Sequence, residues 1–179
     1  MLRVESPAMD VRKQMLVGWP ADAMFDLIEA AEHYPDFLPW CAGTSILSRD
    51  DAHVCALIKV NYHGVHFEFT TRNAKRRPEW MAVTLEHGPF RHFEGEWRLA
   101  PLGDVGCRID FRLDYEFAST LMTKLAGPVF VRIADTLVDA LVAHADRVLP
   151  ARHAAAMSAA PTGEPAPPAT GIPQGVNDG

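Results

Sequence analysis

The chain has 179 residues, 48% of them apolar and 22% charged, which is typical of globular proteins and not of disordered, collagen-like or membrane-spanning chains. Its formal net charge of -6 argues against nonspecific DNA binding, because that activity needs a surplus of Lys and Arg on the binding face. The three cysteines, Cys41, Cys55 and Cys107, form no CxxC pair, and the N-terminus shows no apolar run of signal-peptide length. We therefore expect a cytoplasmic protein with reduced thiols.

Composition divides the chain into one domain and two flanking segments. Residues 150–179 contain six of the 14 prolines and eight alanines but no aromatic residue, so they lack the apolar surface that a packed core needs. We predict a disordered N-terminus over residues 1–8, a single domain over residues 9–149 and a disordered tail over residues 150–179.

The first elements of the domain are a strand and a short helix. Residues 9–17 alternate apolar and polar side chains, which predicts a strand with Lys13 as the exception on the apolar side. A helix is predicted from Trp19-Pro20, because the apolar residues that follow have helical spacing. Residues 33–41 contain two prolines and three aromatic residues, so we expect them to pack as a lid or corner.

The rest of the domain is predicted as a strand meander and a long helix. Turn residues divide residues 44–117 into about six strands, and the last strand alternates apolar and charged residues without fault. Residues 119–149 form the helix, in which every fourth residue from Leu121 to Leu141 is apolar and Gly127-Pro128 should introduce a kink. Charged residues exclude a transmembrane span. This order predicts an α+β domain, with an antiparallel sheet curved around the helix and a cavity between them.

Aromatic residues concentrate on the lid, on one side of the predicted strands and on the long helix. Each of them could simply fill the core, but together they favour a pocket for a large apolar ligand. Tyr62, Arg72 and His92 are candidate donors to a polar head group at its mouth. We predict that the ligand contacts Phe37, Leu38, Trp40, Phe67, Phe69, Phe90, Phe93, Trp97, Phe111, Tyr115, Phe117, Leu125, Val129, Phe130 and Ile133.

Motifs for catalysis or metal binding are scarce. His63 and His66 would point to opposite faces of a strand and have no acidic or cysteine partner at ligand spacing, so no metal site is expected. His87, His92 and Glu94 could form an acid-base cluster beside a turn, although such a cluster is more often a solvated rim. No nucleophile elbow, Walker loop or GxGxxG motif occurs. The sequence thus predicts a non-enzymatic protein, with a cyclase-like enzyme as one alternative.

One dense basic run stands out, containing Arg72, Lys75, Arg76 and Arg77. Such a run is usually a solvated turn between strands. It could also contact the phosphates of ribosomal RNA or the head groups of anionic lipids.

Four motifs resemble those of one known family. They are YPDFLPWC at residues 34–41, FEFTTRN at residues 67–73, GPF followed by GEW at residues 88–97, and GPVF at residues 127–130. Over about residues 9–149 the chain resembles the coenzyme Q-binding START-like family, which also contains the bacterial ribosome association toxin.

The resemblance implies a helix-grip fold and a hydrophobic tunnel for a polyprenyl quinone such as ubiquinone, with no catalysis, metal or further cofactor. Members support respiration as quinone-binding chaperones, or bind the large ribosomal subunit and block its association with the small one. The chain departs from the family at Leu141 and His144, where Phe and Arg are usual, and at Phe93, where Leu is common. We expect ubiquinone binding, with transient contact at the inner membrane, and keep ribosome binding as the main alternative.

Overall fold

The structure is a computed structural model that describes residues 8–158, with side chains for residues 8–150. Most of the two predicted disordered segments, residues 1–7 and 159–179, lies outside the described residues. The elements in chain order are β1 (Met9–Val17), α1 (Ala21–Glu29), a 3-10 helix (Ala31–His33), α2 (Tyr34–Phe37), β2 (Cys41–Arg49), β3 (His53–Tyr62), β4 (Val65–Arg76), β5 (Trp80–His87), β6 (Phe90–Leu102), β7 (Gly106–Phe117) and α3 (Thr120–Ser158).

All seven strands form one antiparallel sheet in the order β1-β7-β6-β5-β4-β3-β2. Strands β2 to β7 follow one another as a meander, as the turn residues predict. Strand β1 joins the far edge by pairing with β7, from Met9 opposite Tyr115 to Val17 opposite Cys107. The curved sheet packs against the long C-terminal helix, which confirms the predicted α+β architecture and the six strands expected over residues 44–117.

The histidine pair His63 and His66 lies at the turn between β3 and β4. His63 and Gly64 have φ values of 50° and 80°, so both occupy the left-handed region that a two-residue hairpin turn requires. His66 lies on β4 opposite Asn61. The two histidines therefore belong to a tight turn and the strand that leaves it.

Strand β1 has the predicted bounds, and its exceptional lysine has a partner. Lys13 Nζ lies 2.7 Å from Asp139 Oδ2 and donates to the carbonyl oxygen of Asp135 at 3.1 Å, both on α3. The charge on the apolar side of β1 thus ties the strand to the helix. Helix α1 begins at Ala21, with Pro20 at the N-cap and not in the first helical position.

Helix α3 is longer than the sequence predicts. It continues through Pro150 to Ser158, so the predicted end at Leu149 is wrong by nine residues. Each proline removes only one backbone donor from the helix, and the alanine-rich residues 151–158 have high helix propensity. Pro128 also lies inside the helix and does not end it.

The buried side of α3 also differs from the prediction. Leu121 and Leu125 are 65% and 57% exposed, whereas Ala126 and Phe130 are buried. With 3.6 residues per turn, each four-residue step advances about 40° around the helix axis. Residues at strict four-residue spacing from Leu121 to Leu141 therefore cannot share one face. The buried face combines three- and four-residue steps through Ala126, Phe130, Ile133, Ala134, Val138, Leu141, Ala145 and Leu149.

Candidate functional site

A cavity lies between the inner face of the sheet and α3. Its volume is about 90 Å³. The same residues surround about 800 Å³ of space without atoms when the open mouth and its solvent are counted. It has room for several water molecules but is smaller than the roughly 300–1,000 Å³ of a typical ligand pocket. Its walls are Ile28, Glu29, Ala31, Tyr34, Trp40, Val54, Ala56, Ile58, Phe69, Thr71, Asn73, Met81, Val83, Phe93, Gly95, Trp97, Phe111, Leu113, Phe130, Ile133, Ala134 and Leu137.

The cavity has a polar end and an aromatic end. Strand β4 points alternate residues inward, and these are Phe69, Thr71 and Asn73 in turn. At roughly 3.3 Å per residue, the backbone positions of Phe69 and Asn73 are about 13 Å apart. Asn73 lies at the end of this row nearest Lys75, the partner of Glu29, and the cluster of phenylalanine rings lies at the Phe69 end. The Trp97 and Phe111 rings line the Asn73 side, because Trp97 lies opposite Met81 and Met81 lies opposite Lys75 in the sheet.

The aromatic end is continuous with a cluster of packed rings. The centroids of Phe90 and Phe117 are 4.7 Å apart, and those of Tyr115 and Phe130 are also 4.7 Å apart in an edge-to-face arrangement. Such geometries add stability beyond the area that the rings bury. The cluster consists of Phe67, Phe69, Phe90, Phe93, Tyr115, Phe117 and Phe130.

Gly88 of the GPF motif lets the turn between β5 and β6 approach this cluster. Its φ is 152°, and a Cβ atom built on it would lie 2.6 Å from the Cβ of Phe69. Any larger residue would meet the β4 side chain directly. The glycine therefore belongs to the packing of the aromatic end.

The structure divides the fifteen predicted ligand contacts into two groups. Eight of them do not line the cavity. In that group four are buried in the core, and Phe37, Phe67 and Val129 are half-buried against it. Leu125 is exposed and does not line the cavity, because each four-residue step turns the side chain about 40° further around the helix axis. The seven that line the cavity are Trp40, Phe69, Phe93, Trp97, Phe111, Phe130 and Ile133.

None of the three suggested head-group donors lines the cavity. Arg72 falls between Thr71 and Asn73, so strand alternation places it on the outer face, where its Nε lies 2.8 Å from Glu86 Oε1. Tyr62 packs against the His63 ring beside the β3–β4 turn, and His92 lies opposite Glu116. The polar wall residues were missed, although the alternation of FTTRN after Phe69 is the signal that could have found them.

Hydrogen bonds and ion pairs fix the polar end. The Tyr34 hydroxyl donates to the carbonyl oxygen of Ile28 at 2.5 Å, and burial holds the pKa of Tyr34 well above its usual range. Lys75 Nζ pairs with Glu29 Oε1, and Arg49 Nε lies 3.4 Å from the same oxygen. The Lys75 side chain is only 7% exposed. This buried pair connects the end of α1 to β4.

Most of the basic run is engaged in ion pairs within the molecule. Arg77 Nε lies 2.7 Å from Asp26 Oδ1, while Arg72 and Lys75 pair with the glutamates described above. Arg76 is exposed and makes no ion pair within residues 8–150. Three of these four basic side chains are therefore held in ion pairs, whereas Arg76 has no ion-pair partner among the described side chains.

The suggested acid-base cluster lies away from the cavity. His87 and Glu94 are exposed and His92 is half-buried, and none of the three is part of the cavity wall. Among the side chains of residues 8–150, no group of three His, Cys, Asp or Glu comes close enough to hold a metal ion. Within the same described stretch, no helix is long and apolar enough to cross a membrane.

Comparison with known proteins places these features in context. Residues 17–142 match the family model described as polyketide cyclase / dehydrase and lipid transport. The ribosome association toxin RatA of Escherichia coli K12 is 34% identical over 142 residues, covering 79% of this chain and 90% of that protein. The mitochondrial coenzyme Q-binding protein COQ10 homolog B of Xenopus laevis is 26% identical over 148 residues, covering 80% and 60%.

Solved structures share the fold. The Zhui aromatase/cyclase from Streptomyces sp. R1128 superposes with a TM-score of 0.68 at 19% identity, covering 80% of this chain and 96% of that one. The protein CC1736 from Caulobacter crescentus superposes with a TM-score of 0.62 at 26% identity, covering 78% and 97%.

Proposed function

The chain belongs to the polyketide cyclase, dehydrase and lipid transport family, and on this basis we propose that it is a START-like protein that binds a polyprenyl quinone such as ubiquinone without catalysing a reaction. The observation that carries the proposal is the largely apolar cavity between the sheet and α3. A relative at 26% identity is named as a coenzyme Q-binding protein, which supports the choice of ligand.

The energy of binding would come from burial of the ligand. Each methylene removed from water contributes roughly 0.8 kcal/mol, so one prenyl unit of five carbons offsets much of the cost of ordering it. The cavity of about 90 Å³ is too small for a whole quinone with its tail. Uptake would therefore require α1 and the segment through Trp40 to move away from the sheet, or the tail to remain partly outside.

Extraction of the purified protein into organic solvent, followed by mass spectrometry, tests the ligand directly. We expect a co-purified isoprenoid quinone at a substantial fraction of the protein concentration. Extracts that contain no quinone, from protein that also fails to take up added ubiquinone, would contradict the proposal.

Two alanines on α3 offer a matched test of the cavity. Ala134 lines it and Ala126 does not, although both are almost fully buried. Ala134→Leu should retain a melting temperature near that of the wild type and lose bound ligand, because the added volume enters free space. Ala126→Leu should cost roughly 1–3 kcal/mol of unfolding free energy, since it overpacks a filled core. Equal destabilisation by both changes would mean that the cavity is closed to ligands.

Ribosome association is a second candidate function, because relatives at 33–34% identity carry the name ribosome association toxin. In this proposal the chain binds the large ribosomal subunit and blocks its association with the small one. Arg76 is free to meet a phosphate, and Arg72 and Arg77 are about half exposed. Lys75 is buried in its ion pair, so we remove it from the suggested contact set.

Sucrose-gradient profiles of cells that overexpress the protein test this candidate. We expect the wild type to raise the ratio of free subunits to whole ribosomes and Arg76→Glu to weaken that effect. Arg91→Glu, at an exposed arginine on β6, is the control and should behave as the wild type. A normal ratio in cells that overexpress the wild type would exclude the toxin function for this protein.

A cyclase-like activity has weaker support. The likeness to the Zhui aromatase/cyclase, at 19% identity, concerns the fold. The residues suggested for acid-base chemistry, His87, His92 and Glu94, lie outside the cavity wall. We therefore do not propose an enzymatic function.

A further inference from the structure

One polar atom in the cavity wall has no hydrogen-bond partner in the protein. Among the described side chains only two buried polar atoms are unpartnered, Asn73 Oδ1 and the Tyr115 hydroxyl, and of these residues Asn73 alone lines the cavity. Leaving such an atom unpaired costs free energy that a hydrogen bond from a ligand would recover. The unpartnered atom is an amide oxygen, which accepts a hydrogen bond, so a ligand hydroxyl is the group that would satisfy it.

Charges beside Asn73 cancel one another. Glu29 lines the same end of the cavity and is paired with Lys75, and Arg49 bridges Glu29 and Glu32. The four groups form a set of two carboxylates and two cations. A charged ligand group would lose its hydration here without finding a free counterion, which is costly. The site therefore suits an uncharged group.

We propose that Thr71 and Asn73 form the polar subsite of the cavity and bind an uncharged hydroxyl group, with the apolar remainder of the ligand directed toward Phe69, Phe93 and Phe130. This inference rests on the proposed uptake of an apolar ligand by the same cavity. It adds the orientation of the ligand, since β4 separates the polar and aromatic ends by about 13 Å. It also adds a specificity, because fatty acids and other carboxylates are disfavoured.

Three small probes that differ in one group test the subsite, namely butylbenzene, 4-butylphenol and 4-butylbenzoate. Their affinities are measured by isothermal titration calorimetry with the full chain. The wild type should bind 4-butylphenol at least tenfold more tightly than 4-butylbenzoate. Asn73→Leu should weaken 4-butylphenol about tenfold and leave butylbenzene unchanged or tighter, because only the phenol loses a hydrogen bond. Thr71→Val should likewise weaken 4-butylphenol and leave butylbenzene unchanged or tighter.

A control variant separates this effect from a general change in the cavity. Met81→Leu alters an apolar wall residue and should change the affinities for 4-butylphenol and butylbenzene alike. If Asn73→Leu and Thr71→Val also change both affinities equally, the polar subsite is wrong while apolar ligand uptake stands. If the wild type binds none of the three probes, the proposed uptake fails and the subsite fails with it.

Discussion

The three cysteines show how burial sets the chemistry of single residues. Cys41 and Cys107 are buried, and burial raises the pKa of each thiol to about 11. Cys55 donates to Glu86 Oε2 at 3.2 Å, and its pKa is raised by burial and by that carboxylate. The thiolate is the reactive form, so all three side chains are structural in the folded protein.

These thiols predict a loss of stability in alkaline solution. The folded state favours the neutral thiol, so its contribution is complete below the ordinary pKa of about 9 and is lost as pH rises toward 11. Urea unfolding between pH 7 and 10.5 should show a falling free energy of unfolding. In Cys107→Ala the fall over this range should be smaller by roughly 1–2 kcal/mol. Parallel pH profiles for variant and wild type would contradict the role of the thiol.

At the residue scale, the sequence predicts the burial of apolar positions well but does not identify the polar residues of the cavity wall. Alternation and aromatic content identify cavity residues such as Trp97 and Phe111, because burial follows local pattern. Asn73 follows the same alternation on β4, but alternation alone does not show whether an inward polar side chain faces a cavity. Its importance depends on which groups surround it, and those groups come from α1, the 3-10 helix and α2, which are distant in sequence. A polar group in a wall is therefore recognised only when the packing is known.

Among the elements, α1 is attached to the sheet by ion pairs in addition to its buried apolar side chains, which include Met24, Phe25 and Ile28. Glu29 at its last turn meets Lys75 of β4, and Asp26 meets Arg77 just beyond that strand. The first pair is almost fully buried and the second is half exposed. Breaking a buried ion pair costs more unfolding free energy than breaking an exposed one, because water does not hydrate the charge that remains.

Lys75→Met should therefore destabilise the protein by about 3 kcal/mol, measured by urea unfolding at pH 7. Adding Glu29→Leu should recover part of this loss, since it removes the mostly buried carboxylate that would otherwise keep only the longer contact to Arg49. Arg72→Met removes an arginine from an exposed pair on the same strand and should cost less than about 1 kcal/mol. If the two single variants lose the same stability, the Lys75–Glu29 pair does not hold α1 to the sheet.

Element boundaries were predictable where local pattern decides them. The strands and turns from β2 to β7 agree with the prediction because each turn between them contains glycine, proline or aspartate. The exposed edges are less obvious. The edge strand β2 has two bulges, between Cys41 and Gly43 and between Ile46 and Ser48. Bulges bend an edge strand, and the irregular edge then pairs poorly with a strand of another chain. The buried face of α3 was mispredicted, because four-residue spacing alone does not follow the helix.

For the whole molecule, truncation tests where the folded domain ends. Removal of residues 159–179 should change the free energy of unfolding by less than about 1 kcal/mol, because they contain no aromatic residue. Removal of residues 150–179 should cost about 1–2 kcal/mol. That cut deletes nine helical residues and places a carboxylate at the negative end of the helix beside buried Leu149. Thermal and urea unfolding of both truncated chains provide the measurement. Equal stability of the two truncated chains would mean that the folded domain ends at residue 149.

Because β1 pairs with β7, β1 stays without its sheet partner until the last strand has been synthesised. β1 is the first strand to be synthesised, and its only neighbour in the sheet is the last. About 100 residues separate paired positions such as Met15 and Ile109. At the usual translation rate of roughly 5–20 residues per second, β1 waits about 5–20 s for a partner. The inward side chains Met15 and Val17 lack their sheet partner during that time, so we expect β1 to be open to chaperone binding while the chain is made.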